Sequence, residues 1–197
     1  MRSKSRTYSG RSASGLKFSL TIILVIGIAV LFWKLIWPQI ELKRYPIAFS
    51  DEVSRAAKEF DLSEALIYSV ILTESSFRSD AISHAGAKGL MQLTDDSNEW
   101  TALMLRENAS PERIFEPELN IRRGCCLLSY LIREFGSYET ALAAYNAGIG
   151  RVRNWLNMEE YSSDGKTLDF IPIDETREYV IKVTKSRDKY QKLYQLD

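Results

Sequence analysis

The pattern of hydrophobic positions divides the chain into an apolar segment, a short connection and a long helical region. Residues 18–33 read FSLTIILVIGIAVLFW without a charge, and three more apolar residues follow Lys34. With the Lys34 side chain reaching towards the bilayer surface, the run provides about 20 residues, enough for one transmembrane helix. The pattern therefore predicts a membrane anchor at 18–37 and a linker at 38–49.

From residue 50 onward, apolar side chains recur at the three- and four-residue spacing of amphipathic helices. No stretch alternates as a half-buried strand would, so we predict an all-α domain over 50–197, large enough for one core. Its third helix, at 95–107, should turn Trp100, Leu103 and Met104 inward. The first two predicted helices begin near Ser50 and Ser63, and each of these serines serves as the N-cap. Further helices are predicted at 95–107 after the cap Thr94, at 118–135, from Ser137 to Ala147, over a short stretch from Val152, and at 174–193.

Charge is distributed unevenly along the chain. Six of the 26 bases precede residue 35 and all 26 acids follow it, so the remainder carries a net charge of −6. A basic flank before an apolar run predicts that the tail 1–17 is cytoplasmic and that the following domain lies outside the cytoplasm. A cleaved signal peptide is the alternative, but the run ends in bulky aromatic residues rather than at a small-residue cleavage site. The acidic domain argues against a nucleic-acid partner.

Cysteine and histidine are too scarce for a metal or disulfide framework. Cys125 and Cys126 are adjacent, and His84 is the single histidine of the chain. Neither a disulfide framework nor an ordinary zinc site can be assembled from this set. We therefore predict no zinc site, take Cys125 as a small core residue, and assign His84 no role.

Glu74 is the first candidate for chemistry. Val70 and Ile71 lie on the apolar face of the helix that Ser63 should cap, and Glu74 continues that face. Loss of hydration there would raise the pKa of the carboxyl group and let it serve as a proton donor. The alternative is a helix-end carboxylate that turns to solvent or pairs with Arg78 at i+4, and spacing alone slightly favours this alternative.

Two short clusters offer binding groups. In the segment GLMQ, Gly89 allows the backbone to approach a ligand closely. Met91 offers an adaptable apolar wall, and Gln92 offers both a hydrogen-bond donor and an acceptor. In the segment AAYNAG, Tyr145 could present a hydroxyl and an aromatic face to a sugar, beside the polar Asn146. The alternatives are a tight turn for the first segment and close helix packing for the second, and spacing alone does not decide between them.

Taken in order, these clusters form part of a larger pattern of five blocks over about 110 residues. The blocks are Glu74-Ser75-x-Phe77, Ser83-x-x-Gly86-Ala87-x-Gly89-Leu90-Met91-Gln92-Leu93, Asn120-Ile121-x-x-Gly124, Ala143-Ala144-Tyr145-Asn146-Ala147-Gly148 and Glu175-Thr176-x-x-Tyr179-Val180. Together they resemble the catalytic domain of the soluble lytic transglycosylases of bacterial cell walls, which is related to goose-type lysozyme. The pattern departs from the family after Gln92, where 94–97 reads TDDS instead of a stretch with proline and alanine.

The resemblance implies a lysozyme-like fold and a role for each matching residue. Glu74 matches the single catalytic acid/base, Ser83 a serine near the scissile bond, and Tyr179 a tyrosine whose hydroxyl approaches the catalytic glutamate. The remaining substrate-binding positions that it implies are Met91, Gln92, Tyr145 and Asn146.

The resemblance also implies an activity. Glu74 would protonate the oxygen between N-acetylmuramic acid (MurNAc) and N-acetylglucosamine (GlcNAc) and then accept a proton from the muramyl C6 hydroxyl, closing a 1,6-anhydro ring without water. This implied mechanism needs no metal and no organic cofactor. The expected partners are peptidoglycan strands and the lipid bilayer, and the expected location is the bacterial inner or plasma membrane. Which machinery recruits the protein, one for wall turnover or one for secretion, is left open. The alternatives are a hydrolytic muramidase of the same fold and a non-catalytic glycan-binding scaffold module.

Overall fold

The computed structural model describes residues 13–196, and the predicted basic tail therefore lies largely outside the described residues. The chain separates into two compact units, one ending at Pro46 and the other beginning at Ile47.

The first unit is helical throughout most of its described length. Helix α1 (Ala13–Leu35) carries the apolar run and begins before the predicted anchor, and α2 (Trp37–Arg44) occupies most of the predicted linker. The helical character of 38–44 is thus a finding that the sequence pattern did not predict. The segment Lys17–Arg44 is long enough to cross a membrane, and 18 consecutive residues within it have a mean hydropathy of 2.4.

The second unit is all-α, as predicted. Among residues 47–196 the structure contains no strand element, and the predicted loop at 76–93 is confirmed with two isolated bridges, Ile82 with Lys88 and Lys88 with Leu93. The helices are α3 (Ser50–Phe60), α4 (Glu64–Ser75), α5 (Asp95–Leu105), α6 (Pro117–Phe135), α7 (Tyr138–Ala147), α8 (Ile149–Leu156) and α9 (Asp174–Tyr194), with a 3-10 turn at Pro111–Arg113 between α5 and α6.

Local capping explains most helix boundaries. The side chains of Ser63, Thr94 and Ser137 each accept a hydrogen bond from a backbone N–H of the first turn, which confirms three predicted caps. Gly136 ends α6 in the left-handed conformation at φ 65°. The prediction for Ser50 is wrong, because α3 begins at Ser50 itself and the preceding Phe49 holds the N-cap position without a side-chain hydrogen bond.

Helix α4 lies in the centre of this unit. Eight of its twelve residues are buried, and its largest packing partner is α9. Helix α5, by contrast, lies at the edge, and the prediction that Leu103 and Met104 face inward is wrong: they are 76% and 46% exposed. Since α5 packs mainly on α6, only one of its faces is covered, and the smaller Thr101 and Ala102 occupy that face.

Candidate active site

A cleft of about 410 Å³ brings together most of the predicted site residues. Glu74, Ser83, Gln92, Tyr145 and Asn146 all line it. Its other walls are His84, Ala85, Ala87, Leu93, Thr94, Ser97, Leu127 and Glu175. Residues from the loop 76–93 and from α4, α5, α6, α7 and α9 therefore meet at one site, and they are separated by up to about 100 residues of sequence.

Glu74 lies in the last turn of α4, where the helix stops. Ser76 and Phe77 both adopt the left-handed conformation, with φ of 51° and 64°, and turn the chain away from the helix axis. The Glu74 carboxyl thereby stays in protein surroundings, and burial raises its pKa to about 7. Arg78 donates through Nε to the carbonyl of Ser75, 3.2 Å away, rather than forming the alternative ion pair with Glu74.

Tyr179 approaches Glu74 from α9. Its hydroxyl is buried and makes no hydrogen bond of ordinary geometry among the described residues, but it lies near enough to the Glu74 carboxyl to lower the pKa of that group, which partly offsets the effect of burial. Burial and the nearby charge of Glu74 raise the pKa of Tyr179 well above its ordinary value. The tyrosine therefore remains a neutral donor, suited to stabilise Glu74 whenever the carboxyl loses its proton.

Asn120 of α6 fixes the loop that forms one wall of the cleft. Its fully buried side chain donates to the carbonyls of Lys88 and Ile114 and accepts from the Met91 N–H at 2.7 Å. Gly89 passes so close to Asn120 that a Cβ atom would lie 2.3 Å from the amide nitrogen. A side chain at position 89 would collide with Asn120, so Asn120 and Gly89 are required together. This contact gives a physical reason for the two sequence blocks that contain these residues.

Met91 plays a different part from the one predicted for it. The residue is fully buried and does not line the cleft, so the prediction that Met91 contacts substrate is corrected. Its side chain packs against Gly124, where a Cβ atom would lie 2.4 Å from the Met91 sulfur. Gly124 makes room for Met91 in the core, and Met91 in turn anchors the loop from beneath.

Ser83 and Gln92 are held at the cleft by hydrogen bonds within the loop. The Ser83 hydroxyl accepts from the Ala87 N–H at 3.0 Å and keeps its own hydrogen to donate. The Gln92 amide nitrogen donates to the carbonyls of Ala81 and Gly89, at 3.2 Å and 2.8 Å. The Gln92 oxygen is therefore the group that this side chain offers to a ligand, and the backbone of Gln92 is left-handed, with φ 48°.

Tyr145 and Asn146 lie at the end of α7. Tyr145 lines the cleft, and its hydroxyl donates to the Met91 carbonyl at 2.8 Å, so it also helps to hold the loop. Asn146 is exposed in the cleft, and its side-chain oxygen accepts from the Thr176 hydroxyl at 2.8 Å. This bond orients the Asn146 amide so that its nitrogen remains free to donate to a ligand.

Two titratable cleft residues, Glu175 and His84, had no predicted role. Glu175, at the start of α9, lines the cleft and also a neighbouring cavity of about 240 Å³ that contains Glu74 and Tyr179. The block Glu175-Thr176 was the available signal for it. His84 is exposed at the rim, and its sequence position in a loop carried no such signal. In the part of the chain that the structure describes, no group of three or more His, Cys, Asp and Glu side chains is arranged to hold a metal ion.

Comparison with known proteins identifies the family. The family model described as "Transglycosylase SLT domain" matches residues 51–168, more than half of the chain. The chain belongs to the transglycosylase SLT family. A solved structure of the lytic transglycosylase Slt of Pseudomonas aeruginosa, an inactive mutant, is 37% identical, with a TM-score of 0.66, over 76% of this chain and 25% of that one. The predicted lysozyme-like, all-α fold of this family is confirmed.

Curated members of the family include soluble and membrane-bound proteins. The soluble lytic murein transglycosylase of Salmonella typhimurium is 35% identical over 152 residues, which are 75% of this chain and 23% of the relative. Membrane-bound lytic murein transglycosylase C of Yersinia pestis is 28% identical over 163 residues, 71% of this chain and 46% of the relative. The chain thus spans between a quarter and a half of the length of these relatives.

Proposed function

We propose that the chain is a membrane-anchored lytic transglycosylase that cleaves the β-1,4 bond between MurNAc and GlcNAc in peptidoglycan. The observation that carries the proposal is Glu74, a half-buried residue that lines the SLT-family cleft and whose carboxyl loses enough hydration to raise its pKa to about 7, which keeps much of it protonated at neutral pH. Relatives at 28–35% identity are named lytic murein transglycosylases, which supports murein as the substrate.

Glu74 serves as acid and then as base. As a neutral acid it donates its proton to the glycosidic oxygen, and the GlcNAc unit leaves as an alcohol. The acetamido group of the MurNAc ring stabilises the positive charge that develops at C1. The Glu74 carboxylate then takes the proton of the MurNAc C6 hydroxyl, whose oxygen bonds to C1 and closes the 1,6-anhydro ring.

The surrounding residues support both proton transfers. Tyr179 donates towards the carboxylate that forms after the first transfer and so limits the cost of ionising a buried group. Ser83, Gln92 and Asn146 present a hydroxyl hydrogen, an amide oxygen and an amide nitrogen to the cleft. These groups suit the hydroxyl and acetamido substituents of the sugars, with Ser83 orienting the acetamido group.

The first unit supplies the location. We infer that 18–37 crosses the inner or plasma membrane once, that the basic tail stays in the cytoplasm, and that the cleft faces the wall outside. The stacked rings of Trp33 and Trp37, 4.8 Å apart, suit the water–lipid boundary at the outer end of this helix.

The masses of the reaction products test this proposal. The full-length chain in detergent is incubated with purified peptidoglycan, and the released glycans are analysed by mass spectrometry. The expected fragments end in 1,6-anhydro-MurNAc and are lighter by one water than hydrolytic fragments. Reducing ends would instead identify a hydrolytic muramidase, and intact glycan would indicate a binding module without catalysis.

A further inference from the structure

Four lysines follow one face of α9. We call them the lysine stripe, and they are Lys182, Lys185, Lys189 and Lys192. Because an α-helix turns by about 100° per residue, their spacing of three, four and three residues places them within an arc of about 80° along roughly 15 Å of helix. The buried residues of α9 lie on the other side of the helix. Three of the four lysines are exposed, and Lys189 is half-buried.

The lysine stripe is an exception in an acidic domain. The chain after residue 34 carries a net charge of −6, whereas the segment 182–192 contains five bases and one acid. A helix dipole favours bases in the last turn, but of these bases only Lys192 lies there. The ammonium groups of Lys185 and Lys192 have no hydrogen-bond or ion-pair partner among the described residues. The stripe therefore keeps positive charge that the protein does not neutralise.

The lysine-bearing end of α9 lies where the chain enters the second unit. Tyr190 of α9 stacks on Tyr68 near the start of α4, with ring centroids 5.4 Å apart. Burial, followed by the negative charges of Glu64 and Asp51, raises the pKa of Tyr68 to about 12, and Asp51 lies in the first turn of α3. These carboxylates belong to the side of α9 that packs on α4, whereas the lysine stripe faces away from it.

An anionic lipid surface matches the stripe. Lysine ammonium groups are point charges on flexible stems, and a row of them suits negative charge spread over an area better than it suits one enclosed anion. Ile181, which is 45% exposed, lies one turn before Lys185 and adds the apolar contact that helices at a lipid surface make. The start of α3 follows the predicted anchor by only 12 residues, so a bilayer surface is within reach of this end of the second unit.

We propose that the lysine stripe binds the anionic headgroups of the bilayer in which the chain is anchored. This inference rests on the location given under the proposed function, because it requires an anchor and a second unit outside the cytoplasm. Glu175 of the cleft lies about 10 Å along the helix axis from Lys182. Binding of the stripe to lipid therefore fixes the distance between the cleft and the bilayer surface, and with it the layer of wall that the enzyme reaches.

The reactivity of individual lysines tests this inference. The full-length chain is inserted into nanodiscs of phosphatidylcholine, or of phosphatidylcholine and phosphatidylglycerol in equal parts. Both samples are treated with a water-soluble acetylating reagent, and mass spectrometry of peptides gives the rate at each lysine. We expect Lys185 and Lys192 to react about threefold more slowly in the anionic nanodiscs, and the difference to disappear in about 0.5 M NaCl, which screens the attraction.

Lys58 is the internal control, because it is exposed in the last turn of α3 and does not belong to the stripe. Its rate should be the same in both lipids. The double variant Lys185→Glu, Lys192→Glu should lose the protection of Lys182 and Lys189, whereas the matched variant Lys58→Glu should keep it. The salt comparison uses the unmodified chain, so it decides the question even if the double variant fails to fold.

Two additions identify the anion that the stripe binds. Phosphatidylcholine nanodiscs receive either glycerol phosphate or purified peptidoglycan, and neither should slow the acetylation of Lys185 or Lys192. Protection by peptidoglycan would overturn the inference in favour of a wall-binding face. Protection by glycerol phosphate would overturn it in favour of a site for small anions.

Three further results would overturn the inference: equal rates in the two lipids, equal slowing at Lys58, or slowing that persists in salt and in the double variant. The proposed function is judged separately. A chain that enters neither kind of nanodisc would refute the anchor and the lysine stripe together. Insertion without lipid-dependent protection would refute the lysine stripe alone, and the masses of the glycan products report on catalysis in either case.

Discussion

Helices α1 and α4 are both predominantly apolar, yet they meet different surroundings. Residues such as Ile23 of α1 expose 65% of their surface, whereas α4 buries eight of its twelve residues in the second unit. A predominantly apolar sequence therefore specifies that a helix avoids water, but not what replaces the water. Length separates the two cases, because 23 residues span about 35 Å, close to a bilayer core, and 12 residues span only about 18 Å.

Each of these helices also carries one charged residue in its last turn. Lys34 of α1 has a long, flexible side chain that would reach water at a membrane surface if α1 spans the bilayer as proposed. Glu74 of α4 has a shorter side chain and is held in the protein by the turn at Ser76 and Phe77, so its carboxyl responds by a raised pKa. In the proposed function, the same arrangement gives an anchor in one helix and a proton donor in the other.

The largest effect is expected from placing a lysine in the middle of α4. Ile67 is fully buried, and Ile67→Lys would leave a charge or an unpaired amine in the core at a cost of about 5 kcal/mol or more. We expect no cooperative unfolding transition of the second unit in urea, followed by circular dichroism. Ile67→Leu, the control, should lose less than about 1.5 kcal/mol. A lysine variant that unfolds at the wild-type midpoint would refute the burial of α4.

The second-largest effect is expected from the loss of Glu74 as the proposed proton donor. Glu74→Gln keeps the shape of the side chain but cannot exchange a proton, so the rate of glycan cleavage should fall about 1,000-fold. The rate is measured by chromatography of released fragments, with circular dichroism to verify folding. Glu64→Gln, at the opposite end of α4 and outside the cleft, is the matched control and should stay within about twofold of wild type. Near-normal activity of Glu74→Gln would show that another group is the acid.

A lysine in α1 is expected to weaken the association of the chain with membranes without preventing the second unit from folding. Ile26 is 56% exposed in the middle of the helix, and Ile26→Lys should make insertion less favourable by about 3 kcal/mol. The fraction of the chain that remains in membranes after carbonate extraction should fall, while Ile26→Leu leaves it unchanged. Activity on soluble glycan fragments should persist in both variants. Unchanged membrane association of the lysine variant would contradict the anchor.

The sequence pattern was most informative where local rules decide the structure. The caps at Ser63, Thr94 and Ser137 and the end of α6 at Gly136 were predicted, because each depends on a few neighbouring backbone groups. The inward orientation of Leu103 was predicted wrongly, because periodicity identifies the apolar face of a helix but not whether a neighbour covers it.

At the site, the sequence identified the residues better than it identified their roles. Glu74, Ser83, Gln92 and Asn146 do meet in one cleft. Met91, however, is buried against Gly124, and this contact depends on how the loop folds on α6. The Tyr145 hydroxyl is directed to the Met91 carbonyl for the same reason. Roles that depend on contacts between distant parts of the chain cannot be inferred from local spacing.

The most direct test of the account is a titration of the Glu74 carboxyl itself. Chains labelled with ¹³C at the glutamate side-chain carboxyl carbon are followed by NMR from acidic to alkaline pH, and the Glu74 signal is assigned as the one absent from Glu74→Gln. Burial in the protein predicts a midpoint of about 7, with the proton held more tightly in the folded than in the unfolded chain. A midpoint near 4.5, the ordinary value for glutamate, would contradict the claim that Glu74 is a neutral acid ready for catalysis.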